Sequence, residues 1–181
     1  PRSRGLGDVY KRQHGELSVN LLDQENFDSH KEVLKRDIEV SGEIKATHLV
    51  THFGQTTNNV HENKELYTSH LMRQQECYAE MGEYAQSHNV TLAIENLFPF
   101  TLDHYAPLPS EIAEQINEVN HPNAKCCLDI SHAYINCNYR NAHFIYEIKT
   151  MGPLSEHIHM HDSFGIMESM WTFTSAEDTS Y

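Results

Sequence analysis

The chain is 181 residues long, with 39% apolar residues, 22% charged residues and a formal net charge of −13 at pH 7. That length allows one domain with a sizeable core, and the acidity disfavours non-specific attraction to nucleic acid or to an anionic membrane. No apolar run approaches the roughly 18 to 20 residues of a membrane helix, and no signal-peptide pattern opens the chain. The four cysteines (Cys77, Cys126, Cys127 and Cys137) show neither CxxC nor zinc-ribbon spacing, so reduced, buried thiols in a cytoplasmic protein are expected. Fourteen histidines are the compositional oddity, fitting either metal ligation or a polar surface.

Ser3 to Gln13, SRGLGDVYKRQ, resembles the in-frame translation of a sequencing-library adapter. Residues 1–13 are therefore set aside from fold reasoning, and residues 14–181 are read as one partial domain. His14 to Leu22 reads as the end of a strand running into a loop. A helix is expected to about Glu43, capped by Asp28 or Ser29, with Val33, Leu34, Ile38, Val40 and Ile44 on its apolar face. Thr47 to Phe53 is β-branched and aromatic, bounded by Gly54, and reads as a strand. After a polar loop, Gln55 to Asn63, a long helix spans about Lys64 to Ser87, with Leu66, Leu71, Tyr78, Met81 and Tyr84 as its buried stripe. Val90 to Asn96 is the next strand, and Pro109-Ser110 opens a helix to about Val119. Lys125 to Ile130 is a strand followed by a loop and a helix around residues 141–149. Glu156 to Asp162 alternates with period two, as a strand does.

Strands alternating with helices indicate βαβ units and a parallel sheet. No GxGxxG or GxxxxGK[ST] follows any strand, so a nucleotide-binding open sheet is unsupported. Each apolar run instead ends in, or just before, Glu, Asp or His, as in a (β/α)₈ barrel whose active-site groups converge from strand carboxyl ends. A full barrel takes about 250 residues. The expected fold is thus α/β, a partial (β/α)₈ barrel truncated at both ends.

The centre of the pattern is Cys126-Cys127-Leu128-Asp129-Ile130-Ser131-His132-Ala133. Asp129 closes a strand, and His132 sits on the turn after it, near enough to share an ion. Asp-x-x-His alone is common, but it stands beside His14, His52, Glu95 and His159 at other strand ends. Imidazoles mixed with carboxylates suit Zn²⁺, Mn²⁺, Fe²⁺ or Co²⁺ better than Mg²⁺ or Ca²⁺. His157 and His161 share a strand face with His159, so any of the three could be the ligand. His48 and the remaining histidines have bland readings as structural or solvated groups. Trp171 and Phe173 could stack on a sugar or pack a loop.

The motifs VTHFG, LAIEN, CLDISHA and HIHMHDSFG, in that order, resemble the strand-end motifs of the xylose-isomerase-like TIM-barrel superfamily. That group holds sugar and sugar-phosphate isomerases and epimerases together with metal-dependent apurinic endonucleases. The resemblance implies that Glu95, Asp129 and His159 are metal ligands and His132 a further metal or substrate contact. His14 and His52 fall on positions the endonuclease branch uses for extra ions. It implies that Glu95 is also a candidate base and that His132 and Asn96 orient hydroxyls, with Asp162 orienting a ligand. The reaction would pass through a metal-stabilised enediolate on a sugar or sugar phosphate. A nucleic-acid partner enters only under the endonuclease alternative, and a catalytically silent barrel is the third reading. The late-strand Glu of both branches and the endonuclease Asp-x-His pair do not appear in this sequence. Activity is therefore expected of a full-length parent and not of this chain alone.

Overall fold

A computed structural model of the chain describes residues 11–163 and Gly165. In chain order its elements are β1 (Lys11–His14), α1 (Phe27–Glu43), β2 (Ala46–His52), β3 (Thr56–Thr57), α2 (Asn58–Glu62), α3 (Lys64–Ser87), β4 (Thr91–Glu95), β5 (His104–Tyr105), α4 (Pro109–Val119), β6 (Ala124–Asp129), α5 (Ile130–Arg140), α6 (Phe144–Met151) and β7 (Ser155–His159). Five of the strands form a parallel sheet in the order β1-β2-β4-β6-β7. β3 and β5 pair antiparallel in the loops above it.

The register gives the sheet the stagger of a barrel. His14 pairs with Val50, two residues short of His52, and His52 pairs with Glu95. Glu95 pairs with Cys127, two short of Asp129, and Asp129 pairs with His159. Four steps across the sheet thus advance the strand ends by four residues, about half the roughly eight-residue shear that closes an eight-stranded barrel. The partial (β/α)₈ barrel expected from the sequence is the fold observed.

Strand alternation sorts the apolar residues into two layers. Leu92, Ile94, Cys126 and Leu128 pack outward with Leu34 and Ile38 of α1, Tyr78 and Met81 of α3, and Ile112 of α4. Val50, Ala93 and Cys127 form a smaller cluster on the opposite, inward face. β1 takes in Lys11 to Gln13, the end of the stretch set aside above. Its ladder uses backbone groups alone, which every residue but proline supplies in full.

Several elements differ from the sequence reading, each for a local reason. No loop follows β6: α5 starts at once, because Asp129 is both the last strand residue and the helix N-cap, its Oδ1 accepting the His132 N–H at 2.8 Å. The stretch read as a polar loop contains α2, capped by Thr57. α1 is capped at Asn26, with Val40 and Ile44 exposed. α4 has Leu108 as its N-cap; the Ser110 N–H donates to buried Glu147 of α6, while Glu111 accepts the Leu108 N–H. Leu66 of α3 is exposed, whereas Gln74 is buried on the inner face, donating to the Phe53 carbonyl. Beside it the Tyr78 hydroxyl donates to the His52 carbonyl at 3.2 Å, so α3 anchors the end of β2. The chain then turns at Gly54 with φ +98°, where a Cβ would collide with Asn20.

Asn96 ties the ends of β4 and β6 together. Its Oδ1 accepts the Asp129 N–H at 2.8 Å and its Nδ2 donates to the Asp129 carbonyl at 3.0 Å. Fully buried, this amide is a clamp on the Asp129 backbone and not an arm toward substrate, which corrects the hydroxyl-orienting role the resemblance implied. Replacing it leaves two buried backbone groups unpaired, at about 1–3 kcal/mol each when unsatisfied. Asn96→Ala should therefore destabilise the protein by about 2–6 kcal/mol, read as a lower urea midpoint with an unchanged slope.

Candidate metal centre

Each of the five parallel strands ends in a candidate ligand: β1 in His14, β2 in His52, β4 in Glu95, β6 in Asp129 and β7 in His159. Because the strands are parallel, those ends share one rim. His132 joins them from the first turn of α5. All six sequence candidates are thus brought to one site.

Glu95 is the hub, 1% exposed. Its Oε1 lies 2.8 Å from His159 Nδ1 and 3.6 Å from His132 Nδ1. Its Oε2 lies 3.3 Å from His14 Nε2 and 3.7 Å from His52 Nε2. The second nitrogens of these rings are fixed by backbone carbonyls. His14 Nδ1 sits 2.9 Å from the Gly15 carbonyl, His52 Nδ1 3.3 Å from that of Leu17, and His132 Nδ1 3.0 Å from that of Asn96. A carbonyl only accepts, so each Nδ1 carries the proton and each neutral ring presents Nε2 as a lone pair. For His14 and His52 that nitrogen faces a Glu95 oxygen, a contact that attracts when the ring is protonated or a cation lies between, and repels when the ring is neutral. This is the outer-shell pattern of metal-ligating histidines.

Asp129, also 1% exposed, is the second carboxylate. Its Oδ2 lies 2.9 Å from His161 Nε2, 3.7 Å from His159 Nδ1 and 3.8 Å from His132 Nδ1. The donor atoms fall into triads, His14–His52–Glu95, Glu95–Asp129–His159 and Asp129–His132–His161, each within 4.8 Å. A fourth set, Cys127–His157–His159, lies deeper on the inward face. The three histidines of β7 and its extension therefore take different places. His159 faces both carboxylates, His161 faces Asp129, and His157 faces Cys127. Asp162 accepts the Ser163 N–H and, among the described residues, contacts none of the candidate ligands. Phe98 packs against His132, ring centroids 5.3 Å apart, and gives the site an apolar wall. His48 bonds Thr47 and lies near Glu156, outside the triads. Trp171 and Phe173 lie outside the described residues.

The electrostatics follow from two buried carboxylates whose charged neighbours, among the described residues, are imidazoles alone. Burial pushes the Glu95 carboxyl up, but hydrogen bonds from His14 and His159 outweigh it and hold the group well below the usual carboxylate range. The same contact raises His14 and His159 above the ordinary imidazole value, against the opposing effect of burial. His52 is lowered, chiefly by burial. His157 is pushed down to about 4, first by burial and then by neighbouring positive charge. The donor set fits a divalent ion: buried carboxylates bring the charge, neutral imidazoles bring borderline nitrogen donors, and the outer shell is already in place.

The roles of two participants could not be assigned from the sequence. His161 was one of three equivalent positions there, and only the path of the chain past β7 puts it on Asp129. Cys127 read as a buried thiol, and only its register against His157 makes it a donor.

The model of the family described as xylose isomerase-like TIM barrel matches residues 9–174. Among solved structures the chain is similar to a D-tagatose 3-epimerase-like protein, with 19% identity and TM-score 0.70 over 88% of this chain and 59% of that one. It is similar to a putative xylose isomerase from Rhodospirillum rubrum, with 15% identity and TM-score 0.71 over 88% and 57%. A xylose isomerase-like protein from Mycobacterium smegmatis in complex with magnesium gives 18% identity and TM-score 0.66 over 84% and 51%. The chain thus spans little more than half the length of these structures. No curated protein matches significantly by sequence. A parallel half-barrel with a histidine or a carboxylate at every strand end, matched by one family model over nearly its whole length, belongs to the xylose isomerase-like TIM-barrel family.

Proposed function

We propose that the full-length protein is a divalent-metal-dependent sugar or sugar-phosphate isomerase or epimerase. The observation that carries this reading is the pair Glu95 and Asp129, both out of water, with imidazoles as their charged neighbours. Glu95, Asp129 and His159 would hold the ion, with His14, His52 and His132 around them. Zn²⁺, Mn²⁺, Co²⁺ and Fe²⁺ suit the mixed donors best, and Mg²⁺ stays in the test because one structural neighbour is described with it. When bound, the ion supplies Lewis-acid polarisation of a carbonyl and its neighbouring hydroxyl, stabilising the negative charge left when the adjacent carbon loses its proton.

The chain's own groups would share the remaining work. Glu95 is ionised at neutral pH, the form that both binds a cation and accepts a proton. His132, with Nδ1 tied to the Asn96 carbonyl, offers Nε2 for a substrate hydroxyl. Phe98 packs against the His132 ring on one side.

The second reading, an apurinic endonuclease, is favoured by a separate observation. His14 and His52 make a complete second triad on the far oxygen of Glu95, as extra ions need. The assay that separates the readings takes the protein at full natural length, loaded in turn with each of the five ions. It runs a panel of ketoses and ketose phosphates beside a duplex containing one abasic site. Epimer or aldose formation without nicking supports the first reading, and nicking without sugar turnover replaces it with the second. A protein that takes up no ion is the silent barrel.

Two further outcomes are expected. Glu95→Gln removes the shared ligand, so Mn²⁺ affinity by calorimetry should fall by about 100-fold or more, beyond the 10–100-fold of outer-shell changes. pH acts oppositely on the metal-free and metal-loaded protein. The raised His14 and His159 stabilise the metal-free fold fully below their unfolded value of 6.5 and lose that contribution as pH climbs through their folded values. The depressed Glu95 stabilises above its unfolded 4.5 and loses that contribution as pH falls through its folded value. Metal-free melting temperature should therefore peak between these two values and decline above. With saturating Mn²⁺ it should rise over the same alkaline span, because the ion binds the deprotonated rings.

A further inference from the structure

Beneath the carboxylates lies a donor set that the proposed reaction leaves unused. Cys127 on β6 and His157 on β7 are register partners, and strand alternation places His159 on the same inward face as His157. Cys127 Sγ and one ring nitrogen from each histidine lie within 4.8 Å of one another. Cys127 is buried and unpaired by any disulfide. Among the described residues His157 has ring contact with His159, centroids 4.9 Å apart, and no hydrogen bond to break. The other cysteines, Cys77, Cys126 and Cys137, belong to no such cluster among the described residues.

One thiolate and two imidazoles make a three-ligand site with an open fourth position, a donor set that favours Zn²⁺ and softer ions over Mn²⁺ or Mg²⁺. An ion about 2.0–2.3 Å from each donor needs those donors about 3.3–3.7 Å apart. The donors, now within 4.8 Å of one another, would close to that spacing as the ion binds. The Cys127 thiol gives up its proton to solvent as the S–metal bond forms. His159 is shared with the carboxylate centre, where its Nδ1 faces Glu95. A neutral imidazole has one lone pair, so it serves one ion at a time.

We propose that Cys127, His157 and His159 form a second, thiophilic cation site whose occupancy withdraws His159 from Glu95 and Asp129. Excess Zn²⁺ or Cd²⁺ would then weaken binding of the working ion. The site stands on its own three residues; its effect on the carboxylate centre rests on the function proposed above.

The test titrates the full-length protein with Cd²⁺ and follows the ultraviolet sulfur-to-Cd²⁺ charge-transfer band, with Mn²⁺ binding measured by calorimetry before and after. The expected result is a saturable band at one Cd²⁺ per chain and a Mn²⁺ affinity lowered about tenfold or more, the scale of losing a supporting ligand. Cys127→Ala and the nearly isosteric Cys127→Ser should abolish the band, with fold checked by circular dichroism. His157→Ala should weaken Cd²⁺ binding while leaving Mn²⁺ affinity in place. Absence of the band in the unmodified protein, or its survival in both folded Cys127 variants, overturns the site. An unchanged Mn²⁺ affinity at full Cd²⁺ occupancy overturns the competition. Glu95→Gln separates the two readings: loss of Mn²⁺ with the band retained supports both sites. A protein that shows the band but never binds Mn²⁺ overturns the carboxylate centre alone.

Discussion

Two carboxylates buried at neighbouring strand ends set the terms for the rest of this structure. An ionised carboxylate out of water is costly unless something positive sits against it. Around Glu95 and Asp129 that positive charge comes from imidazoles, which carry it only when protonated. The site therefore takes up protons at low pH, and under the proposed function a metal ion would take their place as they leave. The scaffold supports the negative charge in other ways too. Asp129 caps α5, so the helix N-terminus faces its carboxylate. Asn96 fixes the Asp129 backbone from both sides, which keeps that carboxylate aimed along the rim.

The stagger of the sheet explains why the carboxylates are shared between triads. Strand ends that advance two residues at alternate steps put Glu95 level with His52, and put Asp129 level with His159. Glu95 thus faces histidines on both flanks, two per oxygen. A carboxylate with both oxygens so engaged can serve one ion or bridge two. The same geometry suits a single-ion isomerase and a multi-ion hydrolase, so fold and donor set do not choose between them.

Strand ends were legible in the sequence because an apolar run that stops at Glu, Asp or His marks both the element and its chemistry. VTHFG and LAIEN needed no tertiary information to be placed. The elements that were misread owe their position to polar side chains with a buried partner. α5 has a buried face in which Ser131, His132 and Asn136 stand among Ala133, Ile135 and Cys137, so its apolar pattern is interrupted. Asn136 lies there because its amide meets the carbonyls of Leu97, Ala106 and Pro107. Gln74 lies on the buried face of α3 for the same kind of reason, while Leu66 falls outside that face. The pairing of Cys127 with His157 depends on a register irregularity between Cys126 and Cys127. One residue of slip there reverses which side chains point inward, and no sequence pattern records it.

Under the proposed reaction, charge and proton transfer fall to different residues. A general base works best with a pKa near the operating pH, and the histidines that keep Glu95 ionised also make it a weak base. Exchange of two imidazole protons for one divalent ion replaces like charge with like, so metal loading does not remove that constraint. His132 is held differently. Its Nδ1 is tied to a backbone carbonyl, its carboxylate neighbours lie at 3.6 and 3.8 Å, and Phe98 covers its ring. An imidazole anchored at one nitrogen by a neutral group has its other nitrogen available to take up and return a proton. Glu95 then serves mainly through its fixed negative charge and its hold on the ion, and His132 is the more mobile proton carrier.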